Sequence, residues 1–148
     1  MKEKISGKPF EILLVEDNHG DVRLIEEILK KNKVPINLHV MKDGIEALSF
    51  LKRKGKHINT LHPDLVLLDL HLPKKEGLEV LKEIKGDPDL KRIPVIILTT
   101  SGAEEDVLKS YQLHGNCYIT KPINLDQFIT VVKSIENFWL TIVKLPPR

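Results

Sequence analysis

The hydrophobic pattern of the chain contains three runs of four consecutive apolar residues, at 12–15, 65–68 and 95–98. A short run without polar alternation predicts a strand that is covered on both faces, as in a parallel sheet. Residues 36–40 alternate apolar with polar side chains, which indicates a strand at a sheet edge. A short final strand is predicted at 116–120, so the pattern contains five strands.

Amphipathic segments follow the strands and predict five helices. Their apolar residues recur at three- and four-residue spacing, as on the buried face of a helix. Pairs of residues with the spacing of a helix cap begin at Asp43, Ser101 and Asn124, and these predict the starts of three helices.

This alternation of strands and helices implies a parallel sheet with helices on both faces, because crossover connections are right-handed and neighbouring elements pack together. The three fully apolar strands must lie inside the sheet, which leaves the second and fifth strands for its edges. Strand order 2-1-3-4-5 meets these conditions and is one of the two common orders of doubly wound α/β folds. We therefore predict one doubly wound domain in three layers over residues 11–143, with a flexible tail at 1–10 and a second tail at 144–148.

Polar side chains with complementary chemistry follow four of the predicted strands: Glu16 and Asp17 the first, Asp69 the third, Thr99 the fourth and Lys121 the fifth. The predicted strand order brings the ends of the first and third strands into one crevice. Three carboxylates in one pocket need a cation or protons to offset their repulsion. Oxygen ligands of this kind suit Mg²⁺, which usually takes one or two carboxylates together with waters and a phosphoryl oxygen.

These groups together predict a phosphoryl-transfer site. Asp69 is the candidate nucleophile, since carboxylates can attack phosphorus and form aspartyl-phosphates. Lys121 and Thr99 would hold the transferred oxygens, and the metal would draw charge from the incoming phosphoryl group.

The residues Glu16-Asp17, Asp69, Thr99 and Lys121-Pro122, each at the end of its strand, resemble the site of a response-regulator receiver domain of two-component signalling. The resemblance covers roughly residues 10 to 140. It implies a flavodoxin-like fold of five strand-helix units, phosphorylation of Asp69, and a phosphate-sensing Thr99 paired with Lys121. We also predict that the Lys121–Pro122 peptide bond is cis, because a tight turn must aim the lysine over the pocket.

The same resemblance implies a metal site and a switch residue. Mg²⁺ would be held by Glu16 or Asp17 together with Asp69 and the backbone carbonyl of His71. Tyr118 matches the aromatic residue that turns inward when receiver domains are activated.

Four longer segments resemble, more narrowly, the single-domain response regulators that partner bacterial phytochrome-type and related sensor histidine kinases: EDNHGDVRL, DLHLPKKEGLEVL, LTTSGAEED and FWLTIVKLP. The implied function is to accept a phosphoryl group from such a kinase on Asp69 with Mg²⁺ and to signal by changing protein contacts. A histidine phosphotransfer protein is a further candidate partner.

Two alternatives to this function stay open. One is a phosphorylation-independent scaffold or adaptor, which would keep the fold and could discard the chemistry. The other is an aspartate-nucleophile phosphatase, which would be expected to carry a second acid where this chain has His71. We therefore expect a signalling protein that is not an enzyme.

Composition adds little to this picture but excludes some classes. The chain has 148 residues, 23 basic and 21 acidic, and a net charge of +2, which is too small to indicate a nucleic-acid or membrane partner. The opening residues lack the apolar core of a signal peptide, and no apolar run reaches membrane-spanning length. We expect a cytoplasmic protein whose single cysteine, Cys117, forms no internal disulfide.

The last predicted helix carries more apolar residues than one buried face requires. Its apolar arc spans about 180°, whereas a core-facing helix needs about 100°. We therefore predict a homodimer or kinase-docking surface on this helix and the adjacent strand, anchored by Phe138, Trp139 and Ile142. The alternative is that residues Trp139 to Leu145 fold back and cover the excess within one molecule.

Overall fold

A computed structural model describes residues 9–31, 35–121 and 124–146. Its five parallel strands form one sheet in the order β2-β1-β3-β4-β5, as predicted. The strands are β1 (Phe10–Val15), β2 (Ile36–Met41), β3 (Leu65–Leu68), β4 (Val95–Thr99) and β5 (Cys117–Thr120). The helices are α1 (His19–Lys30), α2 (Gly44–Leu51), α3 (Gly77–Gly86), α4 (Glu104–Gln112) and α5 (Leu125–Asn137), with a short 3₁₀ turn at Gly55–His57 and a π-helical turn at Phe138–Ile142.

Two hydrophobic clusters, one on each face of the sheet, form the core. Alternate residues of β1, β3 and β4 point to opposite faces, so both members of a pair such as Leu13 and Leu14 are buried. Leu13 packs in the cluster that contains the buried residues of α2 and α3, whereas Leu14 packs with those of α1 and α5. Burial on both faces explains why these strands lack polar alternation, and the result is the predicted three-layer sandwich.

The two ends of β1 show how burial sets its length. Phe10 is only 1% exposed and packs in the cluster under α1 and α5, so the strand begins inside the segment that was predicted to be a tail. Residues 1–8 of that segment lie outside the described residues. At its other end, β1 pairs Val15 with Leu68 of β3, which aligns the carboxyl ends of the two central strands.

Side-chain caps begin two of the three helices as predicted. The Asp43 carboxylate accepts the Glu46 N–H at 2.7 Å, and Asn124 accepts the Asp126 N–H at 2.8 Å. The prediction for Ser101 was wrong, because α4 begins at Glu104 and its N-cap residue is Ala103. The Ser101 hydroxyl donates instead to the Asp106 carboxylate at 2.5 Å, inside the helix.

Helix α4 is the most weakly buried of the five described helices. Ser110 is its one buried residue, and the apolar side chains of Leu108 and Tyr111 are 59% and 51% exposed. Strand β5, its neighbour at the sheet edge, has no fully buried residue in its described length. The face formed by α4 and β5 is therefore the less densely packed side of the molecule.

The end of α5 differs from the continuous helix that the sequence predicted. A π-helical turn follows Asn137, and the Val143 N–H donates to the Phe138 carbonyl, five residues earlier, at 2.9 Å. The wider turn carries Leu140, five residues after Ile135, onto the buried face, where it is 1% exposed.

This turn bears on the two predictions for the last helix, the exposed interface and the tail that folds back over it. Leu140 lies in the core, and Trp139 and Leu145 pack partly against the same cluster, so part of the apolar excess is covered within the molecule. Of the three predicted interface anchors, Phe138 is 50% exposed and Trp139 is partly buried. The Ile142 side chain lies outside the described residues, as does Pro122, whose peptide bond was predicted to be cis.

Candidate functional site

The strand ends bring the predicted site residues together at one edge of the sheet. Glu16 and Asp69 directly follow the paired residues Val15 and Leu68, and the Asp69 N–H donates to the Val15 carbonyl at 3.1 Å. The Lys121 N–H donates to the Thr99 carbonyl at 2.6 Å. Backbone pairing therefore places four side chains at the carboxyl ends of β1, β3, β4 and β5, and these are Glu16, Asp69, Thr99 and Lys121.

Asp69 is buried and its two carboxylate oxygens have different partners. Its Oδ1 accepts the Thr99 hydroxyl at 2.6 Å and the His71 N–H at 3.2 Å, while Oδ2 lies 3.5 Å from the Lys121 ammonium. Burial works against the charge, but the hydrogen bond from Thr99 and the cation of Lys121 together lower the pKa of Asp69. The residue is therefore held as an ionised carboxylate with one oxygen directed toward the lysine.

Three acidic side chains form a cluster with the chemistry of a divalent-cation site. One carboxylate oxygen from each of Glu16, Asp17 and Asp69 lies within 4.8 Å of the others. Glu16 is buried and Asp17 is exposed, so the cluster opens to solvent on one side. This all-oxygen donor set fits Mg²⁺ or a similar hard ion, which would also accept waters at the open side.

Glu16 has a raised pKa. Burial raises its pKa to about 7, the hydrogen bond from Lys121 opposes this change, and the nearby charge of Asp69 adds to it. A cation at the cluster would favour the ionised form of Glu16, so metal binding and deprotonation are coupled.

Lys121 is the cation at the centre of the site. Its ammonium nitrogen lies 2.5 Å from Glu16 Oε1, 2.8 Å from Asp21 Oδ2 and 3.5 Å from Asp69 Oδ2. Burial disfavours this charge, yet the hydrogen bonds to Asp21 and Glu16 raise the pKa of Lys121. The lysine is therefore shared among three carboxylates, and its predicted pairing with Thr99 around a phosphoryl group stays a prediction.

Asp21 is the site residue that the sequence reasoning missed. It lies in the first turn of α1, three residues after Asn18, whose side chain accepts the Asp21 N–H at 2.9 Å and caps the helix. The cap fixes the helix start, and this turn reaches the same sheet edge as Lys121. The cap spacing in the sequence, Asn18 to Asp21, was the signal that could have identified it.

Gly77 allows α3 to begin directly against the site. Its N–H donates to the Leu70 carbonyl at 2.9 Å. A Cβ atom at this position would lie 2.3 Å from the Asp69 carbonyl oxygen and 2.6 Å from the Leu70 Cα. Any larger residue would therefore displace the backbone that carries Asp69.

Tyr118 connects β5 to the loop that follows β4. Its hydroxyl donates to the Ser101 carbonyl oxygen at 2.7 Å, and its ring packs partly against the cluster under α2 and α3. Ser101 is two residues from Thr99, so the hydrogen bond links the tyrosine to the strand end that carries the Thr99 hydroxyl.

The chain belongs to the response regulator receiver domain family, whose pattern it matches over residues 12–133. It is 52% identical over 141 residues to the response regulator Rcp1 of Synechocystis, covering 95% of this chain and 96% of that relative. The resemblance therefore extends over nearly the full length of both proteins.

Solved structures agree with this assignment. The Mn²⁺-bound form of Rcp1 has a TM-score of 0.92 at 52% identity, covering 94% of this chain and 100% of that one. The phosphorylated cyanobacterial phytochrome response regulator RcpA has a TM-score of 0.93 at 53% identity, with 95% and 100% coverage. The bacteriophytochrome response regulator AtBRR has a TM-score of 0.72 at 39% identity, with 95% and 99% coverage.

These relatives confirm that the protein is a response regulator with a receiver fold and a divalent-metal site. One structure is phosphorylated and another holds Mn²⁺, in agreement with the predicted phosphoryl chemistry and with the acidic cluster of Glu16, Asp17 and Asp69. None of the helices in the described part of the chain is long and apolar enough to cross a membrane.

Proposed function

We propose that Asp69 is the phosphoacceptor of this response regulator and that Glu16, Asp17 and Asp69 hold its divalent ion. The observation that supports this most directly is the geometry of Asp69. One oxygen is fixed by Thr99 and by the His71 N–H, and the other is directed toward Lys121. A carboxylate held in this way is oriented before the donor arrives.

The reaction follows from these positions. A carboxylate oxygen of Asp69 attacks the phosphorus of a phosphohistidine whose second ring nitrogen is protonated. The new P–O bond forms, the P–N bond breaks with its electron pair staying on nitrogen, and the ring leaves as neutral imidazole. The Lys121 ammonium and the Thr99 hydroxyl stabilise the charge on the transferred oxygens. A divalent ion, when bound, would draw further charge from those oxygens. The contribution of the His71 carbonyl to the metal stays a prediction.

The switch that we propose uses Thr99 and Tyr118. In this structure Thr99 donates its hydrogen bond to Asp69. A phosphoryl group on Asp69 would offer a more highly charged acceptor, and the Thr99 hydroxyl would turn toward it. The adjoining Ser101 carbonyl accepts the Tyr118 hydroxyl, so a movement of this loop would release the tyrosine and allow its ring to turn inward.

The partners that we propose are a phytochrome-type sensor histidine kinase, a histidine phosphotransfer protein and a second copy of this chain. The kinase is supported by the relatives, which include phytochrome and bacteriophytochrome response regulators. The homodimer is supported by the exposed Phe138, which stacks edge-on against Trp139 at 5.8 Å between ring centroids.

The free Cys117 suits a reducing compartment such as the cytoplasm.

The assignment of Asp69 is tested by labelling with a small acyl-phosphate donor and Mg²⁺, followed by mass spectrometry. We expect one acid-labile phosphate on Asp69 and none in Asp69→Asn. Asp126→Asn, which changes an exposed acid in the first turn of α5, is the matched control and should be labelled normally. An unlabelled wild-type protein that binds its kinase would indicate the phosphorylation-independent scaffold instead.

The homodimer is tested separately by sedimentation with and without a phosphate mimic. Phe138→Ala should weaken association, whereas Ile58→Ala, which removes a 67% exposed side chain elsewhere, should not. A wild-type protein that is monomeric in both states would refute the dimer and leave the assignment of Asp69 unaffected.

A further inference from the structure

The Lys121 ammonium has a second short contact that the phosphoryl chemistry does not require. Asp21 Oδ2 lies 2.8 Å from Nζ, whereas Asp69 Oδ2 lies 3.5 Å away. The lysine side chain is 5% exposed, and the Asp21 side chain is 28% exposed. Asp21 therefore contacts a buried cation from the solvent side of the pocket.

The position of Asp21 is fixed independently of Lys121. The Asn18 cap accepts the Asp21 N–H, and the first turn of α1 favours a negative side chain because of the helix dipole. The backbone of Asp21 is thus placed by helix α1, and the lysine side chain reaches the Asp21 carboxylate from the end of β5. Because the lysine has the longer side chain with more rotatable bonds, it is the partner that can turn from one acceptor to another.

The three carboxylates that contact Lys121 differ in whether they can also bind a metal ion. Glu16 and Asp69 belong to the acidic cluster that fits a divalent ion, so each would turn toward a bound cation. Asp21 is outside this cluster. When Glu16 binds metal, Asp21 is the acceptor that can keep the ammonium in the pocket. When Asp69 carries a phosphoryl group, Asp21 competes with its oxygens for the same ammonium.

We propose that Asp21 is a positioning residue that acts through Lys121, releasing Glu16 for the divalent ion and competing with the phosphoryl group for the lysine. The inference deepens the proposed function and rests on it. The Asp21 carboxylate thus has two opposite effects. It raises the affinity of the site for the metal and lowers its affinity for a phosphoryl group.

The test measures both equilibria in the full chain. Mg²⁺ affinity is measured by calorimetry, and beryllofluoride affinity at saturating Mg²⁺ by ¹⁹F NMR. We expect Asp21→Asn to weaken Mg²⁺ binding and to strengthen beryllofluoride binding, each by about fivefold, a size that fits a partly exposed ion pair. Asp21→Glu, which keeps the charge, should stay close to wild type.

A double-mutant cycle separates the proposed mechanism from a general effect of charge. In a Lys121→Met background, Asp21→Asn should change neither affinity by more than about twofold. Equal changes with and without Lys121 would overturn the proposal, because Asp21 would then act as a charge and not through the lysine. A loss of both affinities in Asp21→Asn would also overturn it, since that result indicates a damaged fold.

Two further measurements keep the proposal testable if the Lys121 variant does not fold. Glu27→Gln removes one exposed charge from the same helix and should leave both affinities unchanged. With Mg²⁺ bound, when Glu16 is turned toward the ion, ¹⁵N NMR of the Lys121 ammonium should show slow proton exchange in the wild type and faster exchange in Asp21→Asn. An ammonium that exchanges equally fast in both proteins would contradict the contact. Labelling of Asp69 tests the proposed function separately and does not depend on these outcomes.

Discussion

Replacing Leu140 with alanine tests whether the π-helical turn sets the packing at the end of α5. Leu140 is 1% exposed and lies in the cluster formed with α1 and β1. Leucine-to-alanine changes at such sites cost about 2–5 kcal/mol, and we expect about 3 kcal/mol here. For a chain of this size that corresponds to a fall in melting temperature of roughly 6–12 °C.

The assay is urea unfolding followed by far-UV circular dichroism, because fluorescence of the neighbouring Trp139 would respond to the substitution directly. Leu125→Ala is the matched control, and since this leucine of α5 is 59% exposed we expect it to cost less than about 1 kcal/mol. A continuous α-helix would turn Leu140 away from the core. A cost below about 1 kcal/mol for Leu140→Ala would therefore refute the π-helical packing.

Three further predictions concern the site. Mg²⁺ affinity measured by calorimetry should fall about tenfold per pH unit below pH 7, because Glu16, whose pKa burial raises to about 7, must lose its proton to bind the ion; a flat profile would contradict this. Thr99→Val should raise the pKa of Asp69 and slow its phosphorylation, because the hydroxyl that favours the charged form is lost. The pKa is measured by ¹³C NMR titration of the Asp69 carboxyl. An unchanged pKa would count against the 2.6 Å hydrogen bond. Gly77→Ala should lower the free energy of unfolding by at least about 2 kcal/mol in urea, since its Cβ would lie 2.3 Å from the Asp69 carbonyl oxygen; unchanged stability would show that the backbone adapts.

The strands and their order were predictable because a strand that is buried on both faces consists of consecutive apolar residues. The runs at 12–15, 65–68 and 95–98 have no polar positions, and in the structure all three strands are buried along their length. The site was predictable for a related reason. Parallel strands end at one edge of the sheet, so the residues after each run, such as Asp69, converge without any knowledge of the helices.

The features that could not be predicted depend on where a helix begins and on how each residue is rotated about the helix axis. Asp21 reaches Lys121 because the Asn18 cap sets the rotation of α1, and strand-end reasoning does not consider the first turn of a helix. Leu140 is buried because one π-helical turn changes the rotation per residue, whereas the predicted arc assumed a constant angle. Ser101 has the spacing of a cap, but α4 begins two residues later than this spacing requires.

The low burial of α4 affects how much free energy the protein needs in order to signal. Its one buried residue is Ser110, whose hydroxyl finds no hydrogen-bond partner among the described residues, so even this anchor carries a desolvation penalty. Segments with few buried apolar contacts open at a small fraction of the global unfolding free energy. The amide hydrogens of α4 should consequently exchange with solvent sooner than those of α1 or α3. A rearrangement worth a few kcal/mol at Asp69 would then suffice to shift the population of this helix while the two central clusters stay intact.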